Sequence, residues 1–153
     1  MLNPKDPCWV VIADGGKARI VEMRRKPYAF RLVTEYASVD QHRTSKELAS
    51  DAAGRVYRTQ GPGSHTMQPR SDPHENVEEQ FVTDLARRLE KAAGQSRFEY
   101  LALVADARTL GRLRRGLGKN VADRVVEERP LDLTPLSLRD LEPRIRDILG
   151  WNA

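Results

Sequence analysis

The chain has 153 residues, 39% hydrophobic and 31% charged, with a formal charge of +4 and a pI of about 9.5. That length suffices for one domain with a real core, and no apolar run approaches the roughly 20 residues of a membrane span. The mild basic excess permits an anionic partner without demanding one.

The opening MLNPKDPC places Pro4, Asp6 and Pro7 where a signal peptide needs an apolar stretch, so a cytoplasmic protein is expected. Cys8 is the sole cysteine, which leaves no internal disulfide and fits a reducing compartment. Cys8 to Ala13 (CWVVIA) is short, apolar and β-branched, the pattern of a buried strand. Asp14-Gly15-Gly16-Lys17 then predicts a tight hairpin, on the ground that glycines accept positive φ. Ala18 to Met23 alternates as a second strand. After a basic turn with Pro27, Phe30 to Ala37 alternates as a third. The first third is thus predicted to be an antiparallel meander.

Residues 38 to 71 are polar and rich in Ser, Thr, Gln, Gly and Pro, and read as a long flexible loop with one helical turn near Lys46 to Ala53. A helix follows. Asp72 suits its N-cap, Pro73 its first position and Glu75 a capping box. Val77, Phe81, Val82, Leu85, Leu89 and Ala92 recur at helical spacing, and Gly94 ends the run. Tyr100 to Ala105 (YLALVA) reads as a strand covered on both faces. Asp106 caps a second helix over Ala107 to Leu117, and Gly118 stops it. Arg124 to Glu127 is a last strand. A C-terminal helix carries Leu138, Leu141, Ile145, Ile148 and Leu149 behind Ser137, with Pro143 predicting a kink or a fresh start. The order β-β-β-loop-α-β-α-β-α predicts one α/β domain over 1–153: a mixed sheet with helices on its faces.

The texts VVIADGGKARIVEM, GRVYRTQGPG, HENVEEQFVTDLARRLEKAA, RFEYLALVADARTLGRLRRGL and DLTPLSLRDL, together with the order of elements, resemble the small bacterial host attachment proteins, from about Pro7 to Ile145. That family is similar to the middle domain of archaeal and eukaryotic class-1 peptide-chain release factors, which carries a Gly-Gly-Gln loop before a long helix. The resemblance implies a release-factor middle-domain or ribonuclease-H-like architecture. The corresponding loop here is Gly61-Pro62-Gly63-Ser64-His65, without the Gly-Gly-Gln triplet. Gln60 and Gln68 flank it out of register, so peptidyl-tRNA hydrolysis is not expected.

Four candidate chemistries each have a plainer explanation. The Asp14-Gly15-Gly16-Lys17 turn lacks the G-x-x-x-x-G-K-[ST] spacing of a phosphate loop and reads as a hairpin. Asp14 and Asp106 each end a predicted strand. In a ribonuclease-H-like order those strands are adjacent and parallel, so the two carboxylates are the candidate for a Mg²⁺-assisted hydrolase. Asp is equally favoured as a turn residue and as an N-cap, which explains both without metal. Cys8 with His42, His65 or His74 lacks the orienting third group of a nucleophilic site. His65 and His74 do not have a metal-ligand spacing. No cofactor is expected.

The basic row is the most informative feature. Arg108, Arg112, Arg115 and Lys119 stack on one helical face opposite Leu110, Leu113 and Leu117, and no acid lies between Ala107 and Asn120. Four unpaired cations in a row suit the phosphates of a nucleic-acid backbone. Arg55, Arg58 and Arg70, with Tyr57 among them, add a basic and aromatic stretch of the kind that grips single-stranded RNA. The expected function is a non-catalytic module bound to RNA or the ribosome. The alternatives are a divergent hydrolase and a protein–protein adaptor acting through residues 38–71.

Overall fold

The computed structural model describes residues 3–38 and 73–151. Three strands open the chain: β1 (Cys8–Ala13), β2 (Lys17–Arg25) and β3 (Tyr28–Ala37). Then come α1 (Pro73–Gly94), β4 (Tyr100–Ala105), α2 (Ala107–Gly116), the four-residue α3 (Lys119–Ala122), β5 (Val125–Pro130) and α4 (Leu138–Leu149). The strands form one sheet in the order β3-β2-β1-β4-β5. β2 is antiparallel to β1 and β3, whereas β4 is parallel to β1 and β5. The expected mixed α/β sheet is therefore present, with the first and fourth strands adjacent and parallel in its centre.

The central strands are apolar throughout because both of their faces are covered. All six residues of β1 are buried, and Leu101 to Ala105 of β4 are fully buried. Trp9, Val11 and Ala13 point to one side with Leu101, Leu103 and Ala105, into the core built with Phe81, Leu85 and Leu89 of α1 and Leu110 and Leu113 of α2. Cys8, Val10, Ile12, Ala102 and Val104 point to the other, where Leu141 and Ile145 of α4 cover them. At about 1.5–3 kcal/mol per fully buried large apolar side chain, these two layers supply the main drive for folding.

Three details depart from expectation. β5 begins one residue later and runs to Pro130 at the sheet edge. α4 is continuous through Pro143. Proline deprives the carbonyl of Arg139, four residues back, of its donor, and both residues are exposed, so the freed carbonyl lies on the solvent side where its loss costs least. The Gly15-Gly16 hairpin forms, but not for the anticipated reason, since the only described glycine with positive φ is Gly150. The turn is held by Asp14, whose Oδ1 accepts from the amides of Gly16 and Lys17, both at 2.7 Å. The Glu78 side chain approaches Gly15 closely: a Cβ there would lie 2.5 Å from Glu78 Oε2, and that flexible carboxylate would have to shift.

Candidate nucleic-acid interface

β1 and β4 end side by side, as the parallel pairing of Ala13 with Ala105 requires, so Asp14 and Asp106 flank one cleft of about 520 Å³. Open α/β sheets favour ligands at this end. The two carboxylates are nevertheless engaged structurally. Besides its turn amides, Asp14 accepts through Oδ2 from Thr134 Oγ1 at 3.2 Å. Asp106 caps α2 by accepting from the Thr109 amide at 3.2 Å, while its Oδ1 is buried without a partner. Four carboxylates, Asp14, Glu78, Asp106 and Asp132, line the cleft against Lys17 and Arg108. Among the described residues no group of three or more His, Cys, Asp or Glu side chains is placed to hold a metal ion. Cys8 is 1% exposed, and burial pushes its thiol up to about 12, so it is a core residue without nucleophilic character at neutral pH.

The basic row of α2 is not the unpaired row that the sequence predicts. Arg108 pairs with Glu75 at 3.2 Å and approaches Glu78 at 3.8 Å. Arg112 pairs with Glu78 at 3.3 Å, and its side chain is only 10% exposed. Lys119 belongs to α3 and pairs with Asp123 at 3.0 Å, one residue triplet beyond the acid-free window. Arg114, outside the row, meets Glu128. Of the four, only Arg115 has no carboxylate partner among the described residues. The acids that neutralise Arg108 and Arg112 come from α1, which packs beside α2, so one helix's periodicity does not reveal them. The apolar half of the prediction holds: Leu110 and Leu113 are buried and Leu117 packs at the core margin.

A second cleft, of about 380 Å³, opens between the last turns of α1 and strands β2 and β3. Three cations line it, Arg88 and Lys91 from α1 and Arg97 from the turn after it, and among the described residues no carboxylate does. The Arg88 guanidinium sits over the Tyr36 ring, 4.3 Å from its centroid, and that of Arg97 over Trp9 at 5.0 Å. These contacts hold two flexible cations in place without neutralising them. Both rings are themselves anchored, Trp9 against Phe98 at 5.0 Å and by its indole N–H to Glu22 at 3.1 Å, Tyr36 against Phe81 at 5.7 Å. Burial pushes the Tyr36 hydroxyl up to about 12, and that oxygen has no hydrogen-bond partner among the described residues. Sequence reasoning missed this cluster. Arg88 and Lys91 are visible as an i,i+3 pair on the polar side of α1, but nothing local links them to aromatics on β1 and β3.

Arg55, Arg58, Arg70, Tyr57 and the glycine-loop counterpart Gly61, Gly63 and His65 lie outside the described residues, as do His42 and the whole 39–72 stretch. Among the described residues no helix is long and apolar enough to cross a membrane.

Several solved structures are similar in fold. An archaeal translation termination factor aligns with 95% of this chain at 8% identity and a TM-score of 0.48, the match spanning 42% of the factor. A PilM–PilN type IV pilus biogenesis complex aligns with 92% at 20% identity and 0.39, spanning 42% of that chain, and RuvC of Thermus thermophilus with 95% at 14% and 0.38, spanning 81%. No curated protein matches the sequence. The model of one family, described as proteins required for attachment to host cells, matches residues 9–145, from the first strand into the last helix, and the chain belongs to that host attachment family.

Proposed function

We propose that the protein is a non-catalytic binding module for RNA, free or within a ribosome. The observation that carries this reading is the cleft beside Tyr36 and Trp9, with three cations and no carboxylate among its described lining residues. A charge-balanced surface gains little from a polyanion, because each internal ion pair must be given up for each phosphate contact. By that criterion the α2 row is a poor backbone-binding site, apart from Arg115. The cleft at the ends of β1 and β4, with twice as many carboxylates as cations, repels phosphate. Arg88, Lys91 and Arg97 face no such cost. The engagement of Asp14 and Asp106 in turn and cap supports the non-catalytic half of the reading, over a divergent hydrolase.

The test is fluorescence anisotropy with a labelled 12-nucleotide single-stranded RNA across a salt series. Three phosphate contacts give a slope of log affinity against log salt of about −2, at roughly −0.7 per contact for a single strand. Changing Arg88 and Lys91 together to Ala should flatten the slope by about 1.4 and weaken binding to all sequences alike. Absence of binding at low ionic strength, or an unchanged double variant, overturns the reading.

A further inference from the structure

We infer that the same cleft is a seat for one unstacked nucleotide, the base lying on the outer plane of the Arg88 guanidinium, whose edge N–H groups reach the neighbouring phosphate of a strand, the nucleotide's own phosphate held by Lys91 and Arg97, and the base edge met by the Gln95 side-chain amide. The inference deepens the RNA reading, since it asks for contact with the base and not only with the backbone.

Backbone binding alone needs exposed cations and nothing else. This cleft has more. Its volume of about 380 Å³ falls near the lower end of small-molecule sites, roughly 300–1,000 Å³. That holds one nucleotide and not a duplex. Ile20, Val33 and Ala92 give it an apolar floor, which backbone phosphate has no use for and a base does. Trp9 is 2% exposed and already covered by Arg97, and Tyr36 lies between Arg88 and Phe81, so neither ring has a free face for a base. The available planes are the guanidinium groups. Arg88 is the better one, because its ring contact at 4.3 Å is the closer. Bases splayed from single-stranded RNA stack on Arg planes as well as on aromatic rings. A guanidinium resting on a ring is also held in position before the ligand arrives, so less side-chain entropy is lost on binding. Gln95 supplies both a donor pair and an acceptor, so it can follow the edge of any base.

The nucleotide can arrive within RNA or free, and the two sources are separable. Uridine 5′-monophosphate and ribose 5-phosphate, which carries the same phosphate without a base, are each titrated into the labelled protein, following the Gln95 side-chain amide and Trp9 indole resonances by NMR. The seat predicts that both signals move and that the nucleotide binds at least about five-fold more tightly than ribose 5-phosphate, the lower bound of base stacking. The charge-conserving Arg88→Lys, at an exposed position, should bring that ratio near one while leaving the RNA salt slope unchanged. Equal binding of the two ligands by the native protein overturns the seat and leaves backbone binding standing. Failure of either ligand to move the signals at millimolar concentration overturns it also. Nucleotide binding without any RNA binding in the salt series upholds the seat as a free-nucleotide site and refutes the RNA reading.

Discussion

Removing Arg112 tests whether the α2 row belongs to the interior or to the surface. Its side chain keeps 10% exposure and its partner Glu78 keeps 22%, with 3.3 Å between Nη1 and Oε1. Arg112→Ala takes away one charge-assisted hydrogen bond and the packing of the aliphatic stem between α1 and α2. A fully buried pair losing one partner costs roughly 3–5 kcal/mol. Here Glu78 retains some solvent and the flanking Arg108, so the cost falls to about 1–2 kcal/mol. For a chain of this size that is a drop in Tm of about 2–8 °C. Arg115→Ala, at a side chain with no carboxylate partner among the described residues, should stay within about 0.5 kcal/mol. Calorimetry of the two variants, with a double-mutant cycle through Glu78→Gln, measures both quantities. A cycle with no coupling, or an Arg115 variant less stable than the Arg112 variant, would refute the pairing argument and return Arg112 to the exposed row.

Other outcomes follow from the same contacts. Leu113→Ala, at a site with 0% exposure beneath α2, should cost about 2–5 kcal/mol by chemical denaturation, whereas the same change at the half-buried Leu117 should cost distinctly less. Asp106→Ala should lower stability by about 1 kcal/mol through loss of the cap, with Asp106→Asn largely restoring it, and neither should alter RNA affinity. Cys8 should resist thiol reagents in the native protein and react on unfolding. Its folded-state pKa, about 12 against 9.0, is the raised one, so its contribution to stability is complete below pH 9 and is lost as the pH climbs towards 12. Cys8→Ala should accordingly reduce the alkaline fall of Tm above pH 9. An unchanged slope there would assign the fall to Tyr28 and Tyr36, whose hydroxyls are also pushed up to about 12.

The fold was legible where one local cause determined one local outcome. CWVVIA and YLALVA are unbroken apolar runs because β1 and β4 are covered on both faces, and continuous burial leaves no alternation to misread. Asp106 and Ser137 sit where their side chains accept amides three residues on, and both helix starts follow from that chemistry. The errors share a different origin. The glycines of the first hairpin suggest positive φ, but the turn is held by the Asp14 side chain, and Gly15 is approached by Glu78, 63 residues along the chain in sequence and beside it in space. Pro143 predicts a kink or a fresh start in α4, yet its cost depends on whether the freed carbonyl faces solvent, which only the placement of the helix decides.

The candidate site shows the same division in sharper form. Helical spacing shows which side chains share a face, and it grouped Arg108, Arg112 and Arg115 correctly. It does not show what covers that face. α2 lies beside α1 on the same face of the sheet, so its leucines meet the strands while Arg108 and Arg112 meet Glu75 and Glu78, more than thirty residues earlier in the chain. A cation row beside a neighbouring helix tends to be neutralised, because that helix can supply acids at matching spacing. Arg88, Lys91 and Arg97, which have no carboxylate partner among the described residues, lie where α1 has no described helix on its far side and borders the antiparallel strands β2 and β3. There the available partners were aromatic rings, which orient Arg88 and Arg97 without cancelling their charge. The place to look for an anion-binding surface in this fold is therefore the open side of α1, where Arg88, Lys91 and Arg97 form no ion pair among the described residues, rather than the helix with the longest run of arginines.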